Sequence, residues 1–510
     1  MNKIHFMPLM AVGALASIIS GCKKPIVQEH PNIIILYADD LGYGDLSCNG
    51  SRTIKTPNAD RLASEGIRFT NAHTTSATST PSRYGLLTGQ YPWRKEGTGI
   101  AAGDAGMIIS PDQYTLADML HDAGYVTGAV GKWHLGLGET SKQDWNGTIA
   151  PALGDIGFDY SFIMAATGDR VPCVYIENAK VVGLDPSDPI SVSYENNFPG
   201  EPTGRDNPEL LTKMRPSHGH DMSIVNGISR IGYMKGGKSA LWVDEEIRDR
   251  ITDKALDFIR DNRSHPFFLY FGTNDIHVPR VPSEKFRGKS GMGPRGDSIL
   301  SFDYTLGEVM DLLDILGIAD NTLLIVSSDN GPVIDDGYQD QSVELLGDHH
   351  PWGEFRGSKY SAFEAGTRTP MLVRWPERTK QGAVSDMLIS HIDFFASLGS
   401  LIGCTLPEGA APDSRNYIET LLGADISAPY VIEQNLNGTL SIFDGEWKYI
   451  EPNNGPASFP AKNVELGNNS SPQLYNLLDD IRERENLADV YPEKIRELNE
   501  ILETVKRNSD

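Results

Sequence analysis

Short, continuous apolar runs alternate along this chain with segments of helical periodicity. The first run, residues 31–38, reads Pro-Asn-Ile-Ile-Ile-Leu-Tyr-Ala, which is typical of a strand buried on both faces. Further strands are predicted at residues 127–130, 266–271, 322–327 and 371–375, and helices at residues 58–65, 116–123, 245–262, 302–316 and 388–402. This alternation predicts an α/β fold with a doubly wound, mostly parallel sheet. In such a sheet the functional site lies beyond the carboxyl ends of the strands.

The character of the sequence changes twice along its 510 residues, which are too many for one small core. Residues 136–240 are rich in Gly, Asn, Pro and Asp, so we expect long insertions over the sheet. Beyond residue 425 short strands follow one another, Asp444-Gly445 predicts a hairpin turn, and residues 492–507 predict an amphipathic helix. We therefore predict a large α/β domain over residues 31–424 and a small α+β subdomain over residues 425–510.

The N-terminus predicts an export signal. Lys3 precedes an apolar run that is short for a membrane span, and small residues then lead to Cys22. The pattern resembles a bacterial lipoprotein signal, in which residues 1–21 are removed and Cys22 receives lipid. The membrane would then be contacted through the lipid anchor only, with residues 22–30 as a linker. A plain signal peptide with an incidental cysteine is the alternative.

The residues after Cys22 bear on the location of the protein. Bacterial lipoproteins that are exported to the cell surface often carry acidic residues directly after the cysteine. Here Lys23 and Lys24 follow instead. We therefore expect a lipoprotein of the bacterial cell envelope that faces the periplasm.

The overall charge excludes one broad class of partner. The chain has 69 Asp and Glu against 45 Lys and Arg, a net charge of −24. A chain this acidic is a poor general binder of nucleic acid and of other polyanions. An anionic substrate would need a small local cluster of cations.

Two oxygen-rich corners follow strands of the predicted sheet. Asp39 and Asp40 come directly after the first strand, and Asp329 and Asn330 follow a later one. Adjacent carboxylates repel each other, so a cation is their natural partner, and ligand oxygens favour Ca²⁺ or Mg²⁺ over Zn²⁺. Alone, the pair Asp39-Asp40 is also compatible with a solvated turn. The two corners together predict one hard-cation site.

Residues 79–89, Ser-Thr-Pro-Ser-Arg-Tyr-Gly-Leu-Leu-Thr-Gly, form the sharpest motif. Pro81 near a helix start would place the Ser79 hydroxyl at a helix N-terminus, where anions are favoured. An ordinary helix with Ser79 as its N-cap is the alternative. The segment resembles the signature of the sulfatase family, in which Cys or Ser before x-Pro-Ser-Arg is oxidised to formylglycine. The match continues through the Leu-Thr-Gly that follows.

The resemblance covers nearly the whole chain beyond the signal. Matching segments are found at residues 38–42, 131–136, 329–332, 357–370, 474–477 and 485–487. The sequence departs from the family pattern at Ala365, where Gly is usual, and at Ser79, where many members have Cys. Serine implies maturation by a radical-type, oxygen-independent sulfatase-maturing enzyme. The resemblance implies an alkaline-phosphatase-like fold, which agrees with the predicted sheet.

The resemblance also implies the cofactors. The 3-oxoalanine (formylglycine) made from Ser79 would attack sulfur through one hydroxyl of its hydrated form and expel sulfate with the help of the other. One Ca²⁺ ion would lower the pKa of the nucleophile. Its ligands would be Asp39, Asp40, Ser79, Asp329 and Asn330.

Five further side chains take catalytic roles by the same resemblance. Arg83 would orient the nucleophile, and Lys132 and Lys359 would bind sulfate oxygens and stabilise the charge of the transition state. His134 is the candidate base for sulfate release, and His277 the candidate acid for the leaving oxygen. A single histidine is more often structural, and the family pattern is what favours these roles.

Two polar clusters in the insertions predict the sugar specificity. Asp169 and Arg170 lie in residues 167–172, and His220 lies in residues 217–221. A carboxylate and a cation on adjacent hydroxyls could distinguish an axial from an equatorial O4. These segments are similar to those of galactose-6- and N-acetylgalactosamine-6-sulfatases. A surface Asp–Arg pair and a loop histidine are the alternative.

We therefore expect an exo-acting carbohydrate sulfatase. Its substrate would be a sulfated oligosaccharide carrying the 6-O-sulfate of galactose or N-acetylgalactosamine, from mucin, keratan or chondroitin. The acidic surface disfavours long, densely sulfated polymers. One alternative is a phosphatase or phosphodiesterase of the same fold with unmodified Ser79, although such enzymes usually carry two metals and more His and Asp ligands. The other is a catalytically silent glycan-binding lipoprotein.

Overall fold

The structure is a computed structural model that describes residues 30–140 and 143–508. The predicted signal peptide and Cys22 lie outside the described residues. Among the helices that are described, none has both the length and the apolar character needed to cross a membrane. A ten-stranded sheet forms the centre, and its strands are β1 (Asn32–Ala38), β2 (Ile67–Phe69), β3 (Val126–Lys132), β4 (Tyr160–Met164), β5 (Tyr175–Glu177), β6 (Lys180–Val181), β7 (Phe267–Gly272), β8 (Thr322–Ser328), β9 (Met371–Arg374) and β10 (Ala383–Ser385).

The predicted mostly parallel sheet is confirmed. The strand order is β10-β2-β9-β8-β1-β7-β3-β4-β5-β6, and the five strands from β8 to β4 are mutually parallel. Strands β9 and β5 run the other way. Every residue of β1 is buried, as its continuous apolar sequence predicts. The carboxyl ends of β8, β1, β7 and β3 therefore meet at one edge of the sheet.

Helices cover both faces of this sheet. The α-helices of the described residues are α1 (Pro57–Glu65), α2 (Ser79–Thr88), α3 (Leu116–Asp122), α4 (Ile247–Asn262), α5 (Gly293–Ile315), α6 (Phe394–Leu401), α7 (Ile418–Leu421) and α8 (Pro492–Arg507). Helix α8 packs on the C-terminal sheet instead. Ile247, Ile251 and Ile259 lie on one buried stripe of α4, which packs on β3 and β7. The predicted helices are present, with shifted bounds.

Three local expectations differ from the structure. Helix α5 begins at Gly293 rather than at residue 302. The sequence does not predict its first turns because they bury polar side chains such as Arg295 and Asp297 and show no apolar periodicity. The insertion over residues 136–240 is not only loop, since it supplies β4, β5 and β6 to the sheet. The helix expected over residues 388–402 is confined to α6, because residues 389–390 pair with residues 72–73 as short strands.

The C-terminal subdomain is a four-stranded antiparallel sheet covered by α8. Its strands are β11 (Val431–Gln434), β12 (Leu440–Phe443), β13 (Trp447–Ile450) and β14 (Gln473–Asn476). The predicted hairpin turn joins β12 to β13, with Gly445 at a φ of 97° that favours glycine. Leu498 and Leu502 of α8 are fully buried against this sheet. The sheet and α8 thus enclose a small core, to which Tyr91 and Ile392 of the large domain also contribute.

Candidate active site

The polar residues singled out in the sequence converge at the carboxyl edge of the sheet. Strands β1, β3 and β8 end there side by side, and α2 begins against them. Side chains directly after these strands, at the end of β3 and at the start of α2 therefore share one small volume. They are Asp39, Asp40, Ser79, Lys132, Asp329 and Asn330.

The hydroxyl of Ser79 lies at the centre of this group. Lys132 Nζ donates to Ser79 Oγ at 2.8 Å, and Ser79 Oγ is 3.2 Å from Asn330 Oδ1 and 3.5 Å from Asp39 Oδ1. Thr78 occupies the N-cap position of α2, so Ser79 is not the cap but the first helical residue. Its side chain lines a cavity, where the helix dipole favours an incoming anion.

Arg83 lies one turn further along α2 than Ser79 and is ion-paired with Asp329. Its Nε donates to Asp329 Oδ2 at 2.9 Å, its Nη2 lies 2.8 Å from the same oxygen, and its Nη1 donates to Tyr270 Oη at 2.7 Å. Burial alone would raise the pKa of Asp329, but the charges of Lys132 and Arg83 outweigh it, and the pKa falls below its ordinary value. Arg83 therefore acts on the Ser79 environment through Asp329.

The acidic corner fits a divalent cation. Asp39 Oδ1 forms an ion pair with Lys132 Nζ at 2.6 Å, whereas Asp39 Oδ2 is buried without a hydrogen-bond partner. Ligand atoms of Asp39, Asp40 and His277 lie within 4.8 Å of one another. Burial raises the pKa of Asp39 despite the charge of Lys132, so the corner is short of positive charge. An unpaired carboxylate oxygen among further acidic and amide oxygens suits a hard cation.

A second buried acidic group contrasts with this corner. His73, Glu364 and Glu433 also lie close enough to share an ion. Lys448 Nζ, however, sits 2.8 Å from Glu364 Oε1 and 3.1 Å from Glu433 Oε2. Together with Arg368, whose Nη1 lies 3.1 Å from Glu364 Oε2, it balances the two carboxylates. This group therefore ties the C-terminal subdomain to the large domain.

His134 has a free ring nitrogen at the cavity. Its Nε2 donates to the carbonyl oxygen of Ala101 at 3.0 Å, and its Nδ1 is buried without a partner. Burial, assisted by the charges of Lys132 and Arg170, holds the pKa of His134 well below its ordinary value. The neutral ring thus keeps a lone pair on Nδ1 that can accept a proton.

His277 faces the cavity with Nε2, whereas the free nitrogen of His134 is Nδ1. Its Nδ1 donates to the carbonyl oxygen of Val278 at 2.7 Å. Its Nε2 lies 3.9 Å from the nearest oxygens of both Asp40 and Asp336. The ring nitrogen that faces the cavity therefore lies near two carboxylates that also pair with Lys359, a suitable place for a proton donor.

Lys359 is held between two carboxylates. Its Nζ donates to Asp40 Oδ2 at 2.8 Å and to Asp336 Oδ2 at 2.9 Å. Asp336 Oδ1 in turn accepts from Tyr360 Oη at 2.8 Å and from Lys462 Nζ. Lys359 lies in one of the sequence motifs, whereas Asp336 and Lys462 lie in none of them.

Asp169 contacts both of the other predicted sugar-reading residues. Asp169 Oδ2 is 2.9 Å from His220 Nε2, and Asp169 Oδ1 accepts from Arg170 Nη1 at 2.9 Å. Asp169 and His220 are buried, although His220 lies in a loop, and the side chain of Arg170 is partly exposed. Together with Ser79 they line a cavity of about 350 Å³.

Three of the site residues have strained backbones. Asp40, His134 and His220 have φ values of 61°, 59° and 52°, in the left-handed region that residues with a Cβ rarely adopt. Such conformations persist where the surrounding structure enforces them, which is common at functional sites. The fold therefore fixes these side chains at a cost in backbone energy.

Comparisons with known proteins agree with this geometry. Residues 31–404 match the Sulfatase family. The N-acetylgalactosamine-6-O-sulfatase of Bacteroides thetaiotaomicron is 56% identical over 512 residues, which cover 99% of each chain. Human steryl-sulfatase is 30% identical over 417 residues, covering 78% of this chain and 70% of that protein.

A solved structure extends the similarity to three dimensions. A protein from work on the metabolism of multiple glycosaminoglycans by Bacteroides thetaiotaomicron superposes with a TM-score of 0.93 and 57% identity, covering 94% of this chain and 100% of the other. The family match spans Ser79, both acidic corners and both buried lysines of the site. The chain belongs to the sulfatase family and is a hydrolase of sulfate esters.

Proposed function

We propose that this sulfatase removes the 6-O-sulfate from a terminal N-acetylgalactosamine or galactose of short host-type glycans, such as mucin, keratan or chondroitin fragments. The observation that carries the proposal is one cavity that joins Ser79 to the Asp169–Arg170–His220 cluster. The relative at 56% identity, an N-acetylgalactosamine-6-O-sulfatase, supports the choice of sugar. Ser79 is buried at the cavity floor, which favours a chain end over an internal sugar.

The residues fit two groups that the family implies. Ser79 would be converted to formylglycine by a radical-type sulfatase-maturing enzyme. One Ca²⁺ ion would be held by Asp39, Asp40, Asp329, Asn330 and residue 79. When present, formylglycine supplies a hydroxyl nucleophile for sulfur, and Ca²⁺ supplies the charge that lowers the pKa of that nucleophile.

The buried cations bind the sulfate. Lys132 Nζ lies 2.8 Å from Ser79 Oγ, and Lys359 is fixed between Asp40 and Asp336. Both ammonium groups can contact the non-bridging oxygens, where negative charge grows in the transition state. Because their carboxylate partners hold them in place beforehand, little reorganisation is needed during the reaction.

The two histidines divide the proton transfers. His277 would deliver a proton from Nε2 to the sugar oxygen as the sulfur–oxygen bond breaks. His134, neutral and with its lone pair on Nδ1, would accept a proton when sulfate is released. The hydrogen bonds on their other ring nitrogens fix which atom faces the cavity.

The buried cluster of Asp169, Arg170 and His220 would read the sugar. Asp169 can accept a hydrogen bond from a hydroxyl group, and Arg170 can donate one to its neighbour. An axial O4, as in galactose-configured sugars, and an equatorial O4 reach different positions in the cavity. A sugar with the wrong epimer would leave these buried polar groups unpaired.

The test is a screen of 6-, 4-, 3- and 2-sulfated monosaccharides with matured enzyme. We expect 6-sulfated N-acetylgalactosamine and galactose to react fastest, and 6-sulfated glucosamine at least about 100-fold more slowly. Equal rates for the two configurations at C4 would contradict the assignment. Comparable rates on an intact polymer and its mono- or disaccharides would contradict the exo-acting mode.

The modification has its own measurement. Mass spectrometry of the peptide that contains Ser79 should show the loss of two hydrogens, as expected for oxidation of serine to formylglycine. An unmodified serine in fully active enzyme would support a phosphatase-like mechanism instead.

We also propose that the protein is a periplasm-facing lipoprotein. The support is the signal-like N-terminus, Cys22 and the lysines that follow it. Lipid on Cys22 would anchor the enzyme durably, since several acyl chains bury together. Protease treatment of intact cells tests the orientation: rapid loss of the protein would place it on the cell surface.

A further inference from the structure

One wall of the cavity comes from the C-terminal subdomain and has no role in the proposed reaction. Leu436 lies in the turn between β11 and β12, and Phe459 and Lys462 lie in the connection between β13 and β14. The ring of Phe459 lies 6.0 Å from that of Tyr360, centre to centre. Aromatic and aliphatic surface of this kind is suited to packing against a sugar ring.

The three lysines near the cavity differ in exposure, and Lys132 is the most deeply buried. The side chains of Lys132, Lys359 and Lys462 are 1%, 4% and 9% exposed. Lys132 contacts Ser79, whereas Lys462 reaches the site only through Asp336, which it shares with Lys359. Lys462 therefore lies outward of the sulfate position, where the remainder of the substrate would pass.

Lys462 has binding capacity left. Its ammonium group has three N–H bonds, and Asp336 accepts one of them. The nitrogen lies 5.4 Å from the ring centres of both Tyr360 and Phe459, which hold it in place. Burial, followed by the charge of Lys462, lowers the pKa of His218, another residue of the cavity lining. The positive charge of Lys462 thus acts on a residue of the cavity lining.

The charge balance of the lining depends on Lys462. The Lys, Arg, Asp and Glu residues that line the cavity are three cations and two carboxylates, in a chain whose net charge is −24. They are Arg170, Lys359, Lys462, Asp169 and Asp336. Without Lys462 the two signs would balance. The C-terminal subdomain therefore supplies the excess positive charge at the mouth.

We propose that Lys462, Phe459 and Leu436 form a subsite for the sugar joined to the sulfated residue, and that Lys462 pairs with an anionic group on that sugar. The anion is a uronate carboxylate or a second sulfate. The proposal rests on the exo-acting function above, because the terminal sugar must occupy the cavity for its neighbour to reach this wall. Lys462 acts in specificity and takes no part in bond breaking.

The test compares four substrates: N-acetylgalactosamine-6-sulfate alone, and that sugar joined to a neutral hexose, to a uronic acid, or to a sulfated hexose. Lys462→Met should lower kcat/KM about tenfold for a disaccharide with a charged neighbour, mainly through KM, and about twofold or less for the other two substrates. Lys462→Arg should retain most activity. Lys380→Met, at an exposed lysine outside the cavity lining, is the matched control and should change nothing.

Each outcome decides the proposal. A selective loss on the uronate or on the disulfated substrate supports it and identifies the anion. Equal losses on all four substrates would overturn it, since Lys462 would then act only by holding Asp336. No loss on any would also overturn it.

Two further measurements separate other causes. Phe459→Leu should weaken binding of disaccharides more than that of the monosaccharide, and an equal effect on both would count against the subsite. A wild-type enzyme inactive on every 6-sulfated galactose-configured sugar would overturn the proposed function itself. An active wild type with an unaltered Lys462→Met variant would overturn the subsite alone.

Discussion

The floor of the cavity is made by residues that follow strands of the central sheet, whereas its mouth is made by loops of the insertion and by the C-terminal subdomain. At the floor, buried ion pairs join distant segments, such as Lys132 to Asp39 and Arg83 to Asp329. At the mouth, Asp169 pairs with Arg170 and His220 of the insertion, and Lys462 of the subdomain pairs with Asp336. The rigid scaffold thus carries the chemistry and the variable loops carry recognition, a common division in enzymes.

This difference has a kinetic consequence. A substitution at the floor should lower the rate on every sulfate ester, because all of them share the reacting group. A substitution at the mouth should act only on substrates that reach it. The ratio of losses on a glycan and on a small aryl sulfate therefore assigns a residue to one region or the other.

Ser79→Ala should have the largest effect. Without the precursor of the nucleophile, kcat/KM should fall at least about 10⁴-fold on every substrate. Sulfate release from an aryl sulfate and from 6-sulfated N-acetylgalactosamine measures it, with thermal unfolding as the check on folding. A variant that still releases sulfate at the wild-type rate would show that Ser79 is not the precursor of the nucleophile.

Removal of divalent ions should have the next largest effect. Chelation should lower activity about 10³-fold on all substrates, and re-added Ca²⁺ should restore it. It should also lower the melting temperature, because a ligand present at 100 times its Kd stabilises the folded state by about 2.7 kcal/mol. In Asp39→Asn the melting temperature should respond less to Ca²⁺. A chelated enzyme with unchanged activity and stability would contradict the proposed ion.

The floor was predictable from sequence because of how its strands are buried. Strand β1 is covered on both faces, so it is a continuous apolar run, and Asp39 and Asp40 follow it directly. The same holds for β8 and Asp329. Helix α5 was harder, since its first turns bury Arg295 against Asp45 and therefore lack an apolar stripe.

The mouth was only partly predictable. Asp336 had a weak signal, since the run Asp335-Asp336-Gly337 follows the second acidic corner closely. Lys462 had none, because its neighbours show no periodicity and it reaches the cavity only when the subdomain docks on the large domain. That docking uses the contact of buried Lys448 with Glu364, which joins segments far apart in sequence. Tertiary packing of this kind leaves no local pattern.

Alanine at Asp169, Arg170 or His220 should have a selective effect. Transition-state binding of the natural glycan should weaken by about 3 kcal/mol, on the order of 10²-fold in rate, while hydrolysis of an aryl sulfate falls far less. Arg205→Ala is the matched control, because Arg205 makes an exposed ion pair in the same insertion. Equal losses on both substrates would assign the three residues to catalysis or folding.

The smallest effect on activity is expected for Asp45, whose buried ion pair supports the floor without contacting the cavity. Asp45 follows β1 closely and is buried, with Arg295 Nη1 and Nη2 at 2.8 Å and His349 Nε2 at 2.7 Å from its oxygens. Burial alone would raise the pKa of Asp45, but the charge of Arg295 and the bond from His349 lower it to about 2. The unfolded chain has an ordinary Asp pKa of about 3.9. This carboxylate therefore stabilises the fold above about pH 4, and the contribution is lost as the pH falls towards 2.

Asp45→Asn should consequently lower the free energy of unfolding at pH 7 by about 3 kcal/mol, because it leaves the buried charge of Arg295 without its partner. About 2 kcal/mol of that difference should disappear between pH 4 and pH 2, where the wild-type carboxylate becomes protonated. Denaturant unfolding at several pH values measures both. Asp257→Asn, which breaks an exposed pair with Arg260, should change the free energy of unfolding little at any pH.

Because Asp45 does not line the cavity, kcat/KM of Asp45→Asn at 25 °C should stay near the wild-type value on glycan and aryl sulfate alike. A substrate-dependent change would place Asp45 in the recognition region and break the division between floor and mouth.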